Sequence, residues 1–290
     1  MLPLMIQETT FGGWNHCLEL NNGHIRLIAT TEVGPRILFS GAPGGPNLFK
    51  EIPEQAGQSK PRRAHPQSRD WLPWGGHRLW VAPEGDHCYD ADNLPLQVET
   101  LGPDAVRLTA PAEPAHGWQR GLEIHLIPGQ PRARIIHRLT ALRTLATPCA
   151  LWTLSIMDAG GTAHVPQPPL GEHPRDLLPN RNLILWPYVS LQDPRLSLGH
   201  ERWEIRQDPA RSALKIGLLH RLGHVDYLNK GWRFTTHFPP VENTPYPDMG
   251  VNCEIFTNPE ILEVESLSPL LTPREGETAT HAIEWSIAPL

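Results

Sequence analysis

Val251-Asn252-Cys253-Glu254-Ile255-Phe256-Thr257 and, shortly after it, Ile261-Leu262-Glu263-Val264-Glu265-Ser266-Leu267 decide the fold class. In a strand, successive side chains point to opposite faces. The first run therefore puts Val251, Cys253 and Ile255 on one face and Asn252, Glu254 and Phe256 on the other. The second puts Glu263 and Glu265 opposite Leu262 and Val264. Glu254 sits mid-strand among residues that prefer burial, and burial raises a carboxyl pKa toward the range of a neutral-pH general base. An inter-strand ion pair with an arginine is the competing reading. For Glu263 and Glu265, a solvated outer face competes with a role framing a cleft on a curved sheet.

The same alternation recurs outward from this pair. Cys17–Leu20, His24–Thr30, Arg36–Ser40, Arg134–Thr140, Ala150–Met157, Leu183–Pro187 and Ala213–Leu219 are among the further strand candidates. With 32 Pro and 24 Gly in 290 residues, the chain is interrupted too often for long helices. So many antiparallel strands in one chain must stack or close on each other, which predicts an all-β sandwich or barrel. Long loops are expected over Glu51–Asp70 and Val165–Asn182. Strand pattern resumes after each of them, so residues 1–290 read as one domain.

Composition removes several function classes. The net charge of −6 comes without a basic run, which argues against nucleic acid and against an anionic membrane surface. The N-terminus lacks the pattern of a signal peptide, and no apolar run reaches spanning length, so a soluble cytoplasmic protein is expected. Cys17, Cys88, Cys149 and Cys253 form no C-x-x-C pair and read as reduced core thiols. The stretch Asp86–Asn93 carries oxygen donors at alternate positions but lacks the EF-hand glycine and closing glutamate, so no metal is expected. Glycine-rich phosphate loops and the G-x-S-x-G elbow are missing, and no organic cofactor is expected.

The chemistry-bearing stretch is Trp71-Leu72-Pro73-Trp74-Gly75-Gly76-His77-Arg78-Leu79-Trp80-Val81-Ala82-Pro83-Glu84. Aromatic faces next to hydrogen-bonding groups suit a sugar, whose C–H faces pack on rings while its hydroxyls demand partners. Trp74 and Trp80 are candidate stacking surfaces, although tryptophans are more often core. Arg78 offers a fork of donors, and His77 titrates near neutrality.

Taken in order, Asn22–Leu27, Glu32–Ile37, Asn47–Phe49, Gly75–Trp80, Tyr89–Asn93, Asn182–Tyr188, Lys215–Gly217, Asn252–Glu254 and Leu262–Pro269 resemble the galactose mutarotase-like (aldose 1-epimerase) superfamily over nearly the whole chain. The resemblance implies a β-supersandwich of antiparallel strands with a sugar cleft on its concave face. It also implies a small-molecule carbohydrate partner and a Glu/His acid–base pair that opens and recloses the sugar ring. Glu254 matches the family's late-strand Glu and is the expected base. Arg78 matches the early sugar-binding Arg. Glu84, Asp92 and Glu265 join Trp74, Trp80 and Arg78 as candidate substrate-binding residues. The family's acid His lies in a central segment, and the corresponding Ala150–Met157 here contains none, so His77 becomes the candidate acid. Aldose 1-epimerase-like isomerisation is the leading expectation. A non-catalytic carbohydrate-binding protein on the same fold, or a carbohydrate lyase or hydrolase relative, is the alternative.

Overall fold

In the computed structural model, residues 5–57, 72–89 and 94–290 are described. The strands in chain order are β1 (Ile6–Phe11), β2 (Trp14–Asn21), β3 (Arg26–Thr30), β4 (Arg36–Gly41), β5 (Gly76–Ala82), β6 (Gln97–Gly102), β7 (Ala105–Thr109), β8 (Trp118–Leu126), β9 (Arg132–Ala141) and β10 (Ala150–Met157). They continue with β11 (Thr162–Pro166), β12 (Ile184–Leu185), β13 (Leu196–Leu198), β14 (Arg202–Arg206), β15 (Leu214–Leu218), β16 (His224–Asn229), β17 (Trp232–His237), β18 (Cys253–Thr257), β19 (Leu262–Leu267) and β20 (Thr278–Pro289). Two short 3-10 turns, Pro53–Gln55 and Asp86–Tyr89, are the helical elements among the described residues.

These strands form two ten-stranded antiparallel sheets. The first runs β1-β2-β3-β4-β5-β10-β19-β18-β15-β12, and the second β13-β14-β11-β16-β17-β20-β9-β8-β7-β6. Their inner faces share one core, in which Leu27, Ile37 and Ile255 of the first sheet meet Leu122, Ile135 and Trp285 of the second. The predicted all-β sandwich is therefore what the chain builds. All four cysteines are free and buried. No helix among the described residues is long and apolar enough to cross a membrane.

Strand β10 spans the residues its alternation predicts and is buried along its whole length. Its two faces have different neighbours. Leu151, Thr153 and Ser155 face the second sheet, whereas Trp152, Leu154 and Ile156 face outward and are covered by other means. The expected strand Leu183–Pro187 shrinks to Ile184–Leu185. The expected loop from Val165 begins inside β11. Polar strands such as β14, where only Trp203 and Ile205 are buried, give too weak a pattern to stand out in the sequence.

At the start of β5, Gly75 and Gly76 have φ of 72° and 70°. A Cβ at Gly76 would meet the Ile37 carbonyl oxygen at 2.2 Å, and one at Gly75 the Lys50 carbonyl oxygen at 2.1 Å. Only glycine fits this turn, which sets the register of β5 against β4 and so fixes which of its residues face outward.

Candidate functional site

The outer face of the first sheet carries a cleft of about 420 Å³ between β5, β10, β19, β18 and β15. The register explains its composition. Arg78 pairs with Leu154, Leu154 with Glu265, and Glu265 with Glu254, so these four share one row across the sheet. Two residues along the strands, Trp80 and Trp152 pair in a second row. On the opposite side, Ile156 pairs with Glu263, Glu263 with Phe256, and Phe256 with Lys215. A period of two thus lays down an aromatic band, a charged band and a third in which Ile156 and Phe256 alternate with Glu263 and with Lys215, whose ammonium reaches across to Glu254 and Glu265 of the charged band.

In the charged band the Lys215 ammonium lies 2.7 Å from Glu254 Oε2 and 3.1 Å from Glu265 Oε2. Trp152 Nε1 donates to Glu265 Oε2 at 2.7 Å. The same ammonium sits 4.4 Å from the Trp152 ring centroid and 4.9 Å from that of Trp186. Arg78 reaches Glu263 Oε1 at 3.4 Å and stacks 4.0 Å over Trp80. Trp80 in turn meets Trp152 and Tyr89 edge-on, with centroids 5.4 Å and 5.1 Å away. The Tyr89 hydroxyl donates to Glu84 at the rim.

Three carboxyls, Glu254, Glu263 and Glu265, face two cations in a dehydrated setting, so they cannot all ionise at neutral pH. Burial pushes the Glu254 carboxyl well above the usual range, and although Lys215 pulls it down, the charge of Glu265 opposite pushes it up again. Glu263 is pushed up to about 7, first by burial and then by Glu265, against the pull of Arg78. Its position between Ile156 and Phe256 accounts for that burial. Lys215 stays charged, because Glu265 and Glu254 outweigh the cost of burying it.

Arg78, Trp80 and Glu84, expected to bind substrate, all line the cleft. Glu265 lies just beneath the lining, bonded to Trp152 and Lys215. Glu254 shares this outer face, but it is fully buried under Lys215 and does not border the open space. Trp74 packs instead on Trp14, with centroids 6.5 Å apart, in a cluster covering the outer face of β2 to β4. Asp92 lies outside the described residues.

His77 requires a correction. It precedes Arg78 in β5, so alternation that aims Arg78 at the cleft aims His77 into the core between the sheets. It is completely buried, 2.9 Å from Ser155 Oγ and 2.7 Å from His137 Nε2. The donors and acceptors can be assigned from their partners. His137 Nδ1 lies 3.0 Å from the His281 carbonyl oxygen, which only accepts, so that nitrogen carries the hydrogen and Nε2 accepts. His77 Nε2 therefore donates to His137, and its Nδ1 accepts from Ser155. Both rings are neutral. Burial pushes His77 well below its ordinary value and His137 down to about 3. His77 and Glu254 are on opposite faces of one sheet and do not form the expected pair.

Lys215, Trp152 and Tyr188, which also line the cleft, were not among the expected site residues. The signal for Trp152 was its place beside Leu154 and Ile156 on one face of a strand whose other face is already apolar. Glu263 stood between a solvated face and a role framing a cleft, and it lines the cleft. Among the described residues no histidine lines the cleft, and no group of three metal-ligating side chains occurs.

No protein-family model matches the sequence, nor does any curated protein. Solved structures do match the fold. A galactose mutarotase-like protein from Lactobacillus casei is 9% identical, with a TM-score of 0.58 over 94% of this chain and 100% of its own. A galactose 1-epimerase from Lactobacillus acidophilus is 9% identical, with a TM-score of 0.51 over 98% of each chain. A TPR-domain containing protein from Parabacteroides distasonis is 11% identical, with a TM-score of 0.63 over 95% of this chain, which spans about half (48%) of that longer protein. The chain has the galactose mutarotase-like fold.

Proposed function

We propose that this protein binds a monosaccharide-sized sugar in the outer-face cleft and interconverts its anomers, with Glu263 as the proton-transferring group. The observation that carries this reading is a single carboxyl, poised near neutrality, at the edge of a cleft walled by Trp80, Trp152 and Tyr89. The mutarotase-like and epimerase neighbours support a carbohydrate ligand, and the aromatic walls and fixed cations supply what a polyol needs.

Anomer interconversion requires the anomeric hydroxyl to lose a proton and the ring oxygen to gain one. With no histidine in the cleft among the described residues, the acid form of Glu263 serves both needs. Its hydroxyl oxygen donates to the sugar ring oxygen while its carbonyl oxygen accepts the anomeric proton. The C1–O5 bond breaks, the aldehyde forms, and the carboxyl is left as the acid again with its oxygens exchanged. Rotation about C1–C2 and the reverse transfer close the ring on the other face. Arg78, 3.4 Å from Glu263, positions the carboxyl.

Magnetisation-exchange NMR across a panel of aldoses tests this. Accelerated exchange for at least one sugar, lost about 100-fold or more in Glu263→Gln, is expected, the size being that of a positioned acid–base group. The rate should be highest below pH 7 and fall as pH rises through about 7 and the acid form is depleted. Exchange unaffected by the substitution refutes the role of Glu263.

The sealed position of Glu254 and a cleft lined by no histidine among the described residues favour a second reading, carbohydrate binding without turnover. Sugars that bind by calorimetry without any accelerated exchange would establish it.

A further inference from the structure

The third band of the cleft has no task in the reaction just described. Ile156 and Phe256 flank Glu263 on β10 and β18, and Ile261, two residues before Glu263, shares their face. Ile52 and Pro73 close that end. Among the described residues, the polar side chains in or beside this band are Glu263, Lys215, whose ammonium is turned to Glu254 and Glu265, and Asn258 and Glu260. Asn258 Oδ1 already accepts the backbone N–H groups of Glu260 at 2.8 Å and Ile261 at 3.0 Å, and Glu260 lies out at the exposed rim.

Hydroxyls pressed against such a wall would lose water without gaining partners, at a cost of roughly 1–3 kcal/mol per unpaired group. A second sugar ring is thus a poor occupant. The wall is also mostly aliphatic rather than a flat aromatic platform, unlike the Trp80 and Trp152 end. Its chemistry matches an alkyl or acyl chain. The wall is continuous with the charged band, and Glu263 stands at their junction, so one ligand spans both.

We infer that the natural ligand is an amphiphilic sugar, with a free anomeric hydroxyl at Glu263 and an apolar substituent on another ring carbon lying along Ile156, Phe256 and Ile261. This rests on the proposed sugar-binding cleft and adds the class of sugar.

Calorimetric titration of glucose, galactose and mannose against their 4-O- and 6-O-pentanoyl derivatives tests it, with pentanoate alone as a probe. At least one acylated sugar should bind about tenfold or more tightly than its parent, given what each buried methylene contributes. That ratio should fall below about threefold in Phe256→Ala and Ile261→Ser, each shown to be folded by thermal unfolding. The wild-type comparison decides the matter even if a variant fails to fold. Parents that bind while no acylated form binds more tightly overturn this inference and leave the sugar cleft standing. Pentanoate binding as tightly as the acylated sugar overturns both, as does the failure of every probe to bind.

Discussion

Lys215 holds the charged band together. It is almost entirely buried, and its ammonium is the common neighbour of two carboxyls and two tryptophan rings. Lys215→Met would leave the Glu265 charge buried without its cation, a loss of about 3–5 kcal/mol by analogy with other broken buried pairs. Glu254→Gln keeps the shape of a carboxyl whose ionised form burial disfavours and leaves Glu265 beside Lys215, so its loss should be smaller than that of Lys215→Met. Urea unfolding of both variants at pH 7 checks the contrast, and equal losses would refute it. Glu254 was legible as a buried, unusual carboxyl, and Arg78 and Trp80 as cleft residues, because each stands out from its local pattern. Lys215 was not. A single lysine before Ile216 and Gly217 looks like any edge-strand cation until three sequence-distant strands bring Glu254, Glu265 and Trp152 around it.

At the scale of elements, β5 and β10 serve two environments at once. Arg78, Trp80, Trp152 and Leu154 face the cleft, while His77 and Ser155, paired in register, face the second sheet. His137 on β9 and His281 on β20 complete this inner polar cluster, and Ser266 Oγ lies 2.9 Å from His281 Nε2. Burial holds His137 near 3 and His281 near 4, below the unfolded value of about 6.5. The unfolded chain binds more protons between these values, so the clustered histidines stabilise the fold fully above about pH 6.5 and progressively less below it. Each adds up to about 1.4 kcal/mol per pH unit to the slope. Carboxylates held low by their cationic neighbours, such as Glu19 beside Arg26 and Glu123 beside His125 and Arg107, act only below about pH 4.5. Glu263, raised to about 7, opposes the histidines across the interval above that, because the folded chain there keeps a proton the unfolded chain has released. His281→Gln isolates the histidine share, and its urea midpoint should lose less than that of the wild type between about pH 6.5 and 5. Equal losses would contradict the neutral histidine cluster. The strands themselves were readable wherever both faces or one full face are apolar, as in β10 and β18. What the sequence concealed was which face looks outward. Alternation relates His77 to Arg78 but does not say which of the two meets the second sheet, and that is settled only when β5 docks between β4 and β10.

The whole molecule is a sandwich in which one sheet has a covered inner face and an outer face banded by an aromatic row, a charged row and a row where Ile156 and Phe256 alternate with Glu263 and Lys215. The bands exist because five strands, drawn from the early, middle and late chain, align their alternation in one register. That alignment explains why the sequence disclosed a sugar-type composition near Trp80 but not the site's extent. On the proposed reading a sugar binds on this outer face, with Glu263 at its reacting end. A crystal of the protein soaked with its tightest-binding sugar should show a ring packed against Trp80 and Trp152 with an oxygen within about 3.2 Å of the Glu263 carboxyl. A sugar seated elsewhere, for instance in the open groove beside Arg132 and His237 on the second sheet, with the cleft left empty, would contradict it.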